Sequence, residues 1–212
     1  MSAPVNLWSE SAWAQRYLRE RDDIPHRMEG FAVLMEVLPA SPGRVLDLGT
    51  GDGYTLGLVR SVHPDAEGVG VDFSAEMLGL ARERFAGDAG VEIVEHDLDA
   101  PLPPLGTFDL VVSSFAIHHC VDVRKRALYG EVFELLEPGG RFLNLEHVDS
   151  ATPALHVDFL AAIGKTPAED DPSNKLVAVE THLTWLRELG FMDVDCYWKW
   201  RELALLAGVK PV

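Results

Sequence analysis

The sequence predicts one α/β domain built on a doubly wound, mostly parallel sheet with helices on both faces. Short apolar runs alternate with segments of helical periodicity at the spacing of βαβ units. The first apolar run closes with a glycine-rich turn that opens a helix. The chain has 212 residues, of which 47% are hydrophobic and 25% charged, as in an ordinary globular protein. This length suits one such domain.

The first predicted elements are two helices. One is polar and aromatic, covers 7–27 and is capped by Ser9 or Ser11, and the other has apolar periodicity over 28–38 and ends before Pro39. The pattern then becomes that of buried strands separated by helices. Strands are predicted at 44–48, 67–71, 91–95, 108–113 and 141–146, and the helices between them at 54–62, 74–85 and 122–136.

The alternation ends after residue 147. A short helix over 154–163, a polar loop and a helix over 177–189 precede two strands at 191–200 and 202–209, which a tight connection joins. No linker, internal repeat or low-complexity segment interrupts the chain. The sequence therefore predicts a single domain.

Charge and composition limit the partners. Lys and Arg number 18 against 34 Asp and Glu, which gives a formal net charge of −16. A phosphate backbone requires clustered cations for counterion release, so nucleic acid is disfavoured, as is an anionic membrane surface. The first ten residues lack the features of a secretory signal, and the apolar stretch 203–209 is too short to span a bilayer. With two cysteines, a reduced cytoplasmic setting is expected.

Polar residues follow three predicted strands at the edge where parallel sheets bind ligands, outside their carboxyl ends. The first strand ends in Asp47 and the turn 49–53, whose glycines let the backbone approach a ligand closely. The second ends in Asp72, an acid placed to accept both hydroxyls of a ribose. The third ends near Asp97, whose carboxylate can accept an adenine amino group.

Taken together, these motifs resemble those of the class I S-adenosylmethionine-dependent methyltransferases along essentially the whole chain. The matching runs are VLDLGTGDG (45–53), VGVDFSAEML (69–78), EHDLDAPLP (95–103), FDLVVSSFAIHHC (108–120) and LLEPGGRF (135–142). The glycine spacing fits this family better than the G-x-G-x-x-G of dehydrogenases. The resemblance implies a Rossmann-like doubly wound seven-stranded sheet, mostly parallel with an antiparallel last strand, and S-adenosyl-L-methionine as cofactor.

The resemblance also implies which residues bind the cofactor. They lie at the strand ends: Asp47, Gly49, Thr50 and Gly51 toward the methionine part, Asp72 at the ribose, Phe73, Met77, Asp97 and Leu98 at the adenine, and Ser113 and Ser114 near the sulfonium. Arg27, helped by Tyr17, is the candidate partner of the cofactor's carboxylate, because the N-terminal helices of this family often close over the cofactor. A surface role for Arg27 is the alternative.

Histidines gather near the ends of the fourth and fifth strands. With Cys120 and Glu146, the residues His118, His119 and His147 could suggest a metal site. Neighbours on a helix point about 100° apart, so His118 and His119 make a poor ligand pair and no metal is expected. His119 or His147 is predicted as a general base. The alternative is that one histidine lines the cofactor pocket and the other caps a helix.

The acceptor is less well specified. The run 113–119 lacks the Asn and aromatic ring of N-P-P-Y-type motifs, and it resembles small-molecule methyltransferases of the ubiquinone/menaquinone-biosynthesis type. Oxygen is expected as the acceptor atom on frequency alone. Two rivals remain open: a tRNA-modifying methyl- or carboxymethyl-transferase, against which the charge weighs, and a catalytically silent cofactor-binding relative.

In this family the segment between the fifth strand and the last helix commonly shapes the acceptor pocket. Its acids, Glu169 to Asp171, either recognise a cationic acceptor or belong to a solvated loop. We expect a monomer or homodimer that acts on a small molecule. The single domain 1–212 divides into N-terminal helices over the cofactor site (1–43), a cofactor-binding core (44–146), an acceptor-side insertion (147–176) and the last helix with a terminal strand hairpin (177–212).

Overall fold

The structure is a computed structural model that describes residues 11–212, apart from the side chains of residues 11–14, 17 and 22. Two helices come first, α1 (Ser11–Glu20) and α2 (Arg27–Glu36), with a 3₁₀ turn over Arg21–Asp23 between them. The long first helix predicted over 7–27 is therefore shorter. Its alternative cap Ser9, and the side chain of Tyr17, lie outside the described residues.

Strands and helices then alternate as the sequence predicts. None of the helices in the described part of the chain has the length and apolar character needed to cross a bilayer. The elements are β1 (Arg44–Leu48), α3 (Tyr54–Val62), β2 (Glu67–Asp72), α4 (Ala75–Arg84), β3 (Val91–Glu95), β4 (Phe108–Ser114), α5 (Asp122–Leu135), β5 (Leu136–His147), α6 (Pro153–Ala162), α7 (Val179–Glu188), β6 (Met192–Trp200) and β7 (Leu203–Val209).

Seven strands form one mixed sheet in the order β3-β2-β1-β4-β5-β7-β6. The pairs among β1 to β5 are parallel, and β7 runs antiparallel to both β5 and β6. This confirms the predicted doubly wound sheet with its antiparallel last strand. Because the chain moves outward from β1 in both directions, the strand order reverses between β1 and β4, which is where such folds bind ligands.

The largest difference from prediction lies at the start of β5. The sequence predicts a helix up to residue 136 and a strand from 141, but the strand begins at Leu136, directly after α5. Gly139 N donates to Lys210 O and Lys210 N donates to Gly140 O, each at 2.9 Å. The end of the chain thus supplies backbone partners for the start of β5, a long-range pairing that local turn residues do not reveal.

The core has two layers, one on each face of the sheet. Side chains alternate along β1 because successive residues of a strand point to opposite faces. Val45 packs with Phe31 of α2 and Leu56 of α3, whereas Leu46 packs with Leu128 of α5 on the other face. Helices thus pack on both faces of the sheet. The edge where a ligand can bind is the one formed by the carboxyl ends of the strands.

The turn after β1 depends on left-handed backbone at Gly49 (φ +68°), Gly51 (φ +57°) and Gly53 (φ +79°). This conformation costs an L-residue roughly 1–2 kcal/mol. A Cβ added at Gly49 would lie 2.2 Å from Ala116 Cβ, whereas a Cβ at Gly51 would meet nothing within 4 Å. Gly49 is thus needed for close packing, and Gly51 leaves space above the turn.

This contrast predicts different losses of stability for two alanine variants. Gly51→Ala should lower the free energy of unfolding by about 1–2 kcal/mol, from backbone strain alone. Gly49→Ala should lower it by a further 1 kcal/mol or more, roughly, because the new methyl group also overlaps Ala116. Urea denaturation of the two variants measures the difference, and equal losses would contradict this account of the turn.

Candidate active site

A cleft lies at the carboxyl edge of the sheet, between the glycine turn, the ends of β2 and β4, the segment after β3 and the N-terminal helices. It brings together most residues that the sequence predicts for the cofactor and one predicted for catalysis. Those that line it are Arg27, Gly49, Thr50, Gly51, Asp72, Phe73, Met77, Asp97, Leu98, Ser114 and His119. Asp47, Ser113 and His147 are not part of its lining.

Asp72 joins the end of β2 to the glycine turn. Its Oδ2 accepts a hydrogen bond from Gly51 N and its Oδ1 accepts one from Ser74 N, both at 2.9 Å. Burial raises its pKa. A carboxylate oxygen has two lone pairs, so each oxygen can accept a second hydrogen bond from a molecule in the cleft.

Asp47 lies directly behind the cleft wall. It is fully buried, and its Oδ2 accepts from Thr50 Oγ1 at 2.7 Å and from Leu56 N at 3.2 Å. Its Oδ1 is buried without a hydrogen-bond partner. Burial raises the pKa of this carboxyl to about 7. An unsatisfied buried acceptor of this kind favours a donor or cation nearby.

An ionic clamp on the glycine turn, which no sequence motif indicates, is formed by Asp52 and two arginines. Arg21, in the 3₁₀ turn between α1 and α2, donates from its two terminal nitrogens to Asp52 at 2.7 and 3.0 Å. Arg84 donates to the same carboxylate at 2.7 Å. Burial opposes the ionisation of Asp52, but these guanidinium groups outweigh it and lower its pKa. The clamp ties the N-terminal segment over the cleft.

Arg27 begins α2 and is buried, with 3% of its surface exposed. Its guanidinium carbon lies 4.8 Å from the ring centre of Phe31 and 5.3 Å from that of Phe115. Aromatic faces attract a cation. Arg27 is thus a buried residue that lines the cleft, and not the surface cation of the alternative interpretation.

The two serines at the end of β4 differ in position. Ser114 lines the cleft, and its hydroxyl lies 2.6 Å from Thr55 Oγ1. Ser113 is fully buried, and its hydroxyl donates to Leu48 O of the neighbouring strand at 2.8 Å. Successive strand residues face opposite sides, so both hydroxyls could not reach the same cleft. A cofactor role for Ser113 would have to involve its backbone.

The other end of the cleft is apolar with a polar rim. Met77 and Leu98 are buried there, and Phe73 lies between them and the solvent. Asp97 is exposed, and its Oδ1 accepts from Asp99 N at 2.9 Å. A slot with apolar walls and a carboxylate at its edge suits a flat heterocycle that carries an amino group.

His118 and His119 lie on a 3₁₀ turn over Ile117–His119 and point in different directions. His118 Nδ1 is 2.6 Å from Oε1 of the fully buried Glu146. Burial raises the pKa of Glu146 and lowers that of His118 well below its usual value. This pair is enclosed behind the cleft, so His118 is not available to a ligand.

His119 lines the cleft, as does Phe115. Its Nδ1 lies 3.1 Å from the hydroxyl of Ser173, a residue of the acceptor-side insertion. Burial, and then the neighbouring His118, lower its pKa to about 3. The ring is therefore neutral at physiological pH and can accept a hydrogen bond without first losing a proton.

His147 belongs to a separate network. Its Nε2 lies 2.9 Å from Glu202 Oε2, and His156 Nδ1 lies 2.9 Å from the other oxygen of that buried carboxylate. His156 Nε2 reaches Asp170 at 3.2 Å. These contacts join α6 and the following loop to the start of β7. A catalytic role for His147 stays a prediction, without a contact to the cleft.

The acidic residues 169–171 also make hydrogen bonds with nearby residues. Glu169 accepts from Thr166 N at 2.9 Å in a capping box, Asp170 contacts His156, and Asp171 accepts from Ser173. Within residues 11–212, no three His, Cys, Asp or Glu side chains are grouped so that they could hold a metal ion. The acids thus order the loop rather than present a bare anionic surface.

Comparison with known proteins gives a consistent match. A family model described as a methyltransferase domain matches residues 45–140. A demethylmenaquinone methyltransferase from Clavibacter sepedonicus is 30% identical over 201 residues, which are 85% of this chain and 78% of that protein. A ubiquinone/menaquinone biosynthesis C-methyltransferase from Geobacter sulfurreducens is 42% identical over 108 residues, which are 49% of this chain and 41% of that protein. The match thus spans less than half the length of the second relative.

Solved structures agree on the fold. An O-methyltransferase family protein from Burkholderia thailandensis superimposes with a TM-score of 0.73 at 23% identity. The match covers 96% of this chain and 61% of that one. At this identity the likeness concerns the fold alone, and it includes nearly all of the chain.

The raised pKa of Asp47 predicts that the difference in stability between wild type and Asp47→Asn depends on pH. Its pKa rises from 3.8 to about 7 on folding, so the folded chain keeps a proton that the unfolded chain releases as pH increases. The contribution of Asp47 to stability therefore falls between about pH 4 and pH 7. Asp47→Asn does not titrate. Between pH 5 and pH 8, the free energy of unfolding of this variant should rise relative to that of wild type by on the order of 2–3 kcal/mol, as measured by urea denaturation. A difference that is constant with pH would contradict the raised pKa.

Proposed function

The chain belongs to the S-adenosylmethionine-dependent methyltransferase family, and from this premise we propose that it transfers a methyl group to a ring carbon of a small hydroquinone-type acceptor. The observation that carries the proposal is the cleft in which Asp72, Arg27 and His119 meet the glycine turn. The relatives' names suggest the acceptor class and favour carbon. Oxygen, expected from frequency, is the alternative that the product distinguishes.

The residues of the cleft suit S-adenosylmethionine. Asp72 offers two carboxylate oxygens that can accept from two neighbouring hydroxyls of a ribose. Gly51 leaves open space where any side chain would stand. Asp47 is buried behind Thr50, so it would act on the ammonium group of the methionine part only through its charge. Met77 and Leu98 would contact the adenine, with Asp97 at its amino edge.

When bound, S-adenosylmethionine supplies a methyl group made electrophilic by a positively charged sulfur. The chain's own residues orient this molecule. The Arg27 guanidinium, held among Phe31 and Phe115, would pair with the carboxylate of the methionine part. The contact between Ser114 and Thr55 fixes the end of β4 against α3, which keeps the backbone there in place beside the reacting centre.

His119 would act on the acceptor. A neutral imidazole nitrogen can accept a hydrogen bond from an acceptor hydroxyl, which raises the electron density of an aromatic ring at the carbon beside that hydroxyl. With a pKa near 3, His119 is a weak base, so orienting and polarising the hydroxyl is the larger part of its role. The bond from the methyl carbon to sulfur would break as the bond to the ring carbon forms, which releases S-adenosylhomocysteine, and the proton that the ring carbon loses would pass to water. Phe115, which also lines the cleft, would cover one face of a flat acceptor.

A matched pair of variants tests the cofactor assignment. Asp72→Asn should weaken S-adenosylmethionine binding at least about 10-fold, because the amide nitrogen donates where the carboxylate accepts. Asp109→Asn is the control, since Asp109 also accepts from two backbone N–H groups, those of Gly43 and Arg44, but lies at the opposite edge of the sheet. Calorimetry measures both affinities. Equal affinity in the two variants would refute the ribose role of Asp72.

A product assay tests the reaction. Purified protein is incubated with S-adenosylmethionine labelled in its methyl group and, in turn, with a naphthohydroquinone, a catechol and bulk tRNA. We expect the label on a ring carbon of the naphthohydroquinone, identified by NMR. A methoxy product would overturn the choice of carbon, and label on tRNA would support a rival. Tight cofactor binding without turnover on any acceptor would favour the catalytically silent relative.

A further inference from the structure

The insertion and the histidine turn are docked to each other on the acceptor side of the cleft. Lys175 N donates to His118 O at 3.0 Å, and Lys175 Nζ donates to His119 O. These contacts fix residues 171–175 against the 3₁₀ turn that carries His119. The relative position of His119 and Ser173 is therefore set by Lys175, independently of the contact between their side chains.

The hydrogen bonds around Ser173 determine where its proton goes. Asp171 Oδ1 accepts from Ser173 N at 2.8 Å and from Ser173 Oγ at 2.7 Å. A hydroxyl has one proton, and this contact uses it. Toward His119 Nδ1, at 3.1 Å, the same oxygen can therefore act only as an acceptor. His119 Nδ1 must then carry a proton.

A neutral imidazole has one proton on its two ring nitrogens. The charged and titratable groups around the ring are His118, with ring centres 4.0 Å apart, together with Asp171 and Glu146. Burial, the largest effect, and the neighbouring His118 disfavour a second proton, and they outweigh the two carboxylates and a hydrogen bond with the Ser173 backbone, which favour it. With Nδ1 protonated, the lone pair resides on Nε2. This is the less common tautomer of an isolated histidine, so something must select it.

We propose that Ser173, oriented by Asp171, is a positioning residue that fixes His119 in the Nδ1–H tautomer, so that the lone pair lies on Nε2, the buried ring nitrogen that the hydroxyl of a bound acceptor would contact. This inference rests on the proposed function for the role of that hydrogen bond, but the tautomer itself does not depend on it. The segment 147–176 would thus contribute to the chemistry through Ser173. Asp171 acts one step further away, by taking the Ser173 proton.

The test combines NMR of histidine labelled with ¹⁵N and steady-state kinetics on the full chain. His119→Gln identifies the signals of His119. In wild type we expect Nδ1 protonated and Nε2 unprotonated. Ser173→Ala should shift His119 toward the Nε2–H tautomer and lower kcat about 10-fold or more, with cofactor affinity within about 2-fold. Ser173→Thr, which keeps a hydroxyl, should restore both properties. Ser61→Ala removes an exposed hydroxyl on α3 and is the control.

The outcomes separate this inference from the proposed function. A proton on Nε2 in wild type, or an unchanged tautomer in Ser173→Ala, would overturn the inference. A shifted tautomer with unchanged kcat would overturn the positioning role. If wild type turns over no acceptor while the tautomer responds as expected, the tautomer assignment is supported and the proposed function fails.

Discussion

The hydrogen bond from Gly51 N to the Asp72 carboxylate is the contact on which the rest of the site depends. It joins the turn after β1 to the end of β2 and so fixes the floor of the cleft. It requires left-handed backbone at Gly49 and Gly51, which only glycine adopts without strain. With the floor fixed, Thr50 shields the buried Asp47, and the clamp between Asp52 and Arg21 draws the N-terminal segment over the opening. Backbone geometry, ion pairing and the shape of the cleft are thus parts of one arrangement.

Most of the fold and much of the cleft could be predicted from the sequence. Strand β1 begins and ends where the apolar run does, because a buried strand has a distinctive local composition. Residues such as Asp72 and Asp97 follow their strands directly, and a parallel sheet brings all carboxyl ends to one edge. Local pattern and fold rules together were therefore enough to place them. The identity of the cofactor came from the resemblance that these motifs carry.

Contacts between distant segments could not be predicted. The partner of Asp52 is Arg21, 31 residues earlier, and the partner of His119 is Ser173, 54 residues later. No local period encodes such pairs, since they depend on how the N-terminal helices and the insertion pack. The early start of β5 has the same origin, because Lys210 supplies its backbone partners. For His147 the structure shows a partner that no local pattern indicates, Glu202, while its catalytic role stays a prediction. The direction of a side chain at the end of a strand thus depends on partners that are distant in the sequence.

The central claim is that the cleft over the glycine turn binds S-adenosylmethionine in a form ready for methyl transfer. Isothermal titration of the wild-type chain with S-adenosylmethionine and with S-adenosylhomocysteine tests it most directly. The account predicts one site per chain and micromolar binding of both molecules. Absence of binding for both would contradict it, because Asp72, Gly51 and Arg27 would then line a cleft that does not recognise the family's cofactor.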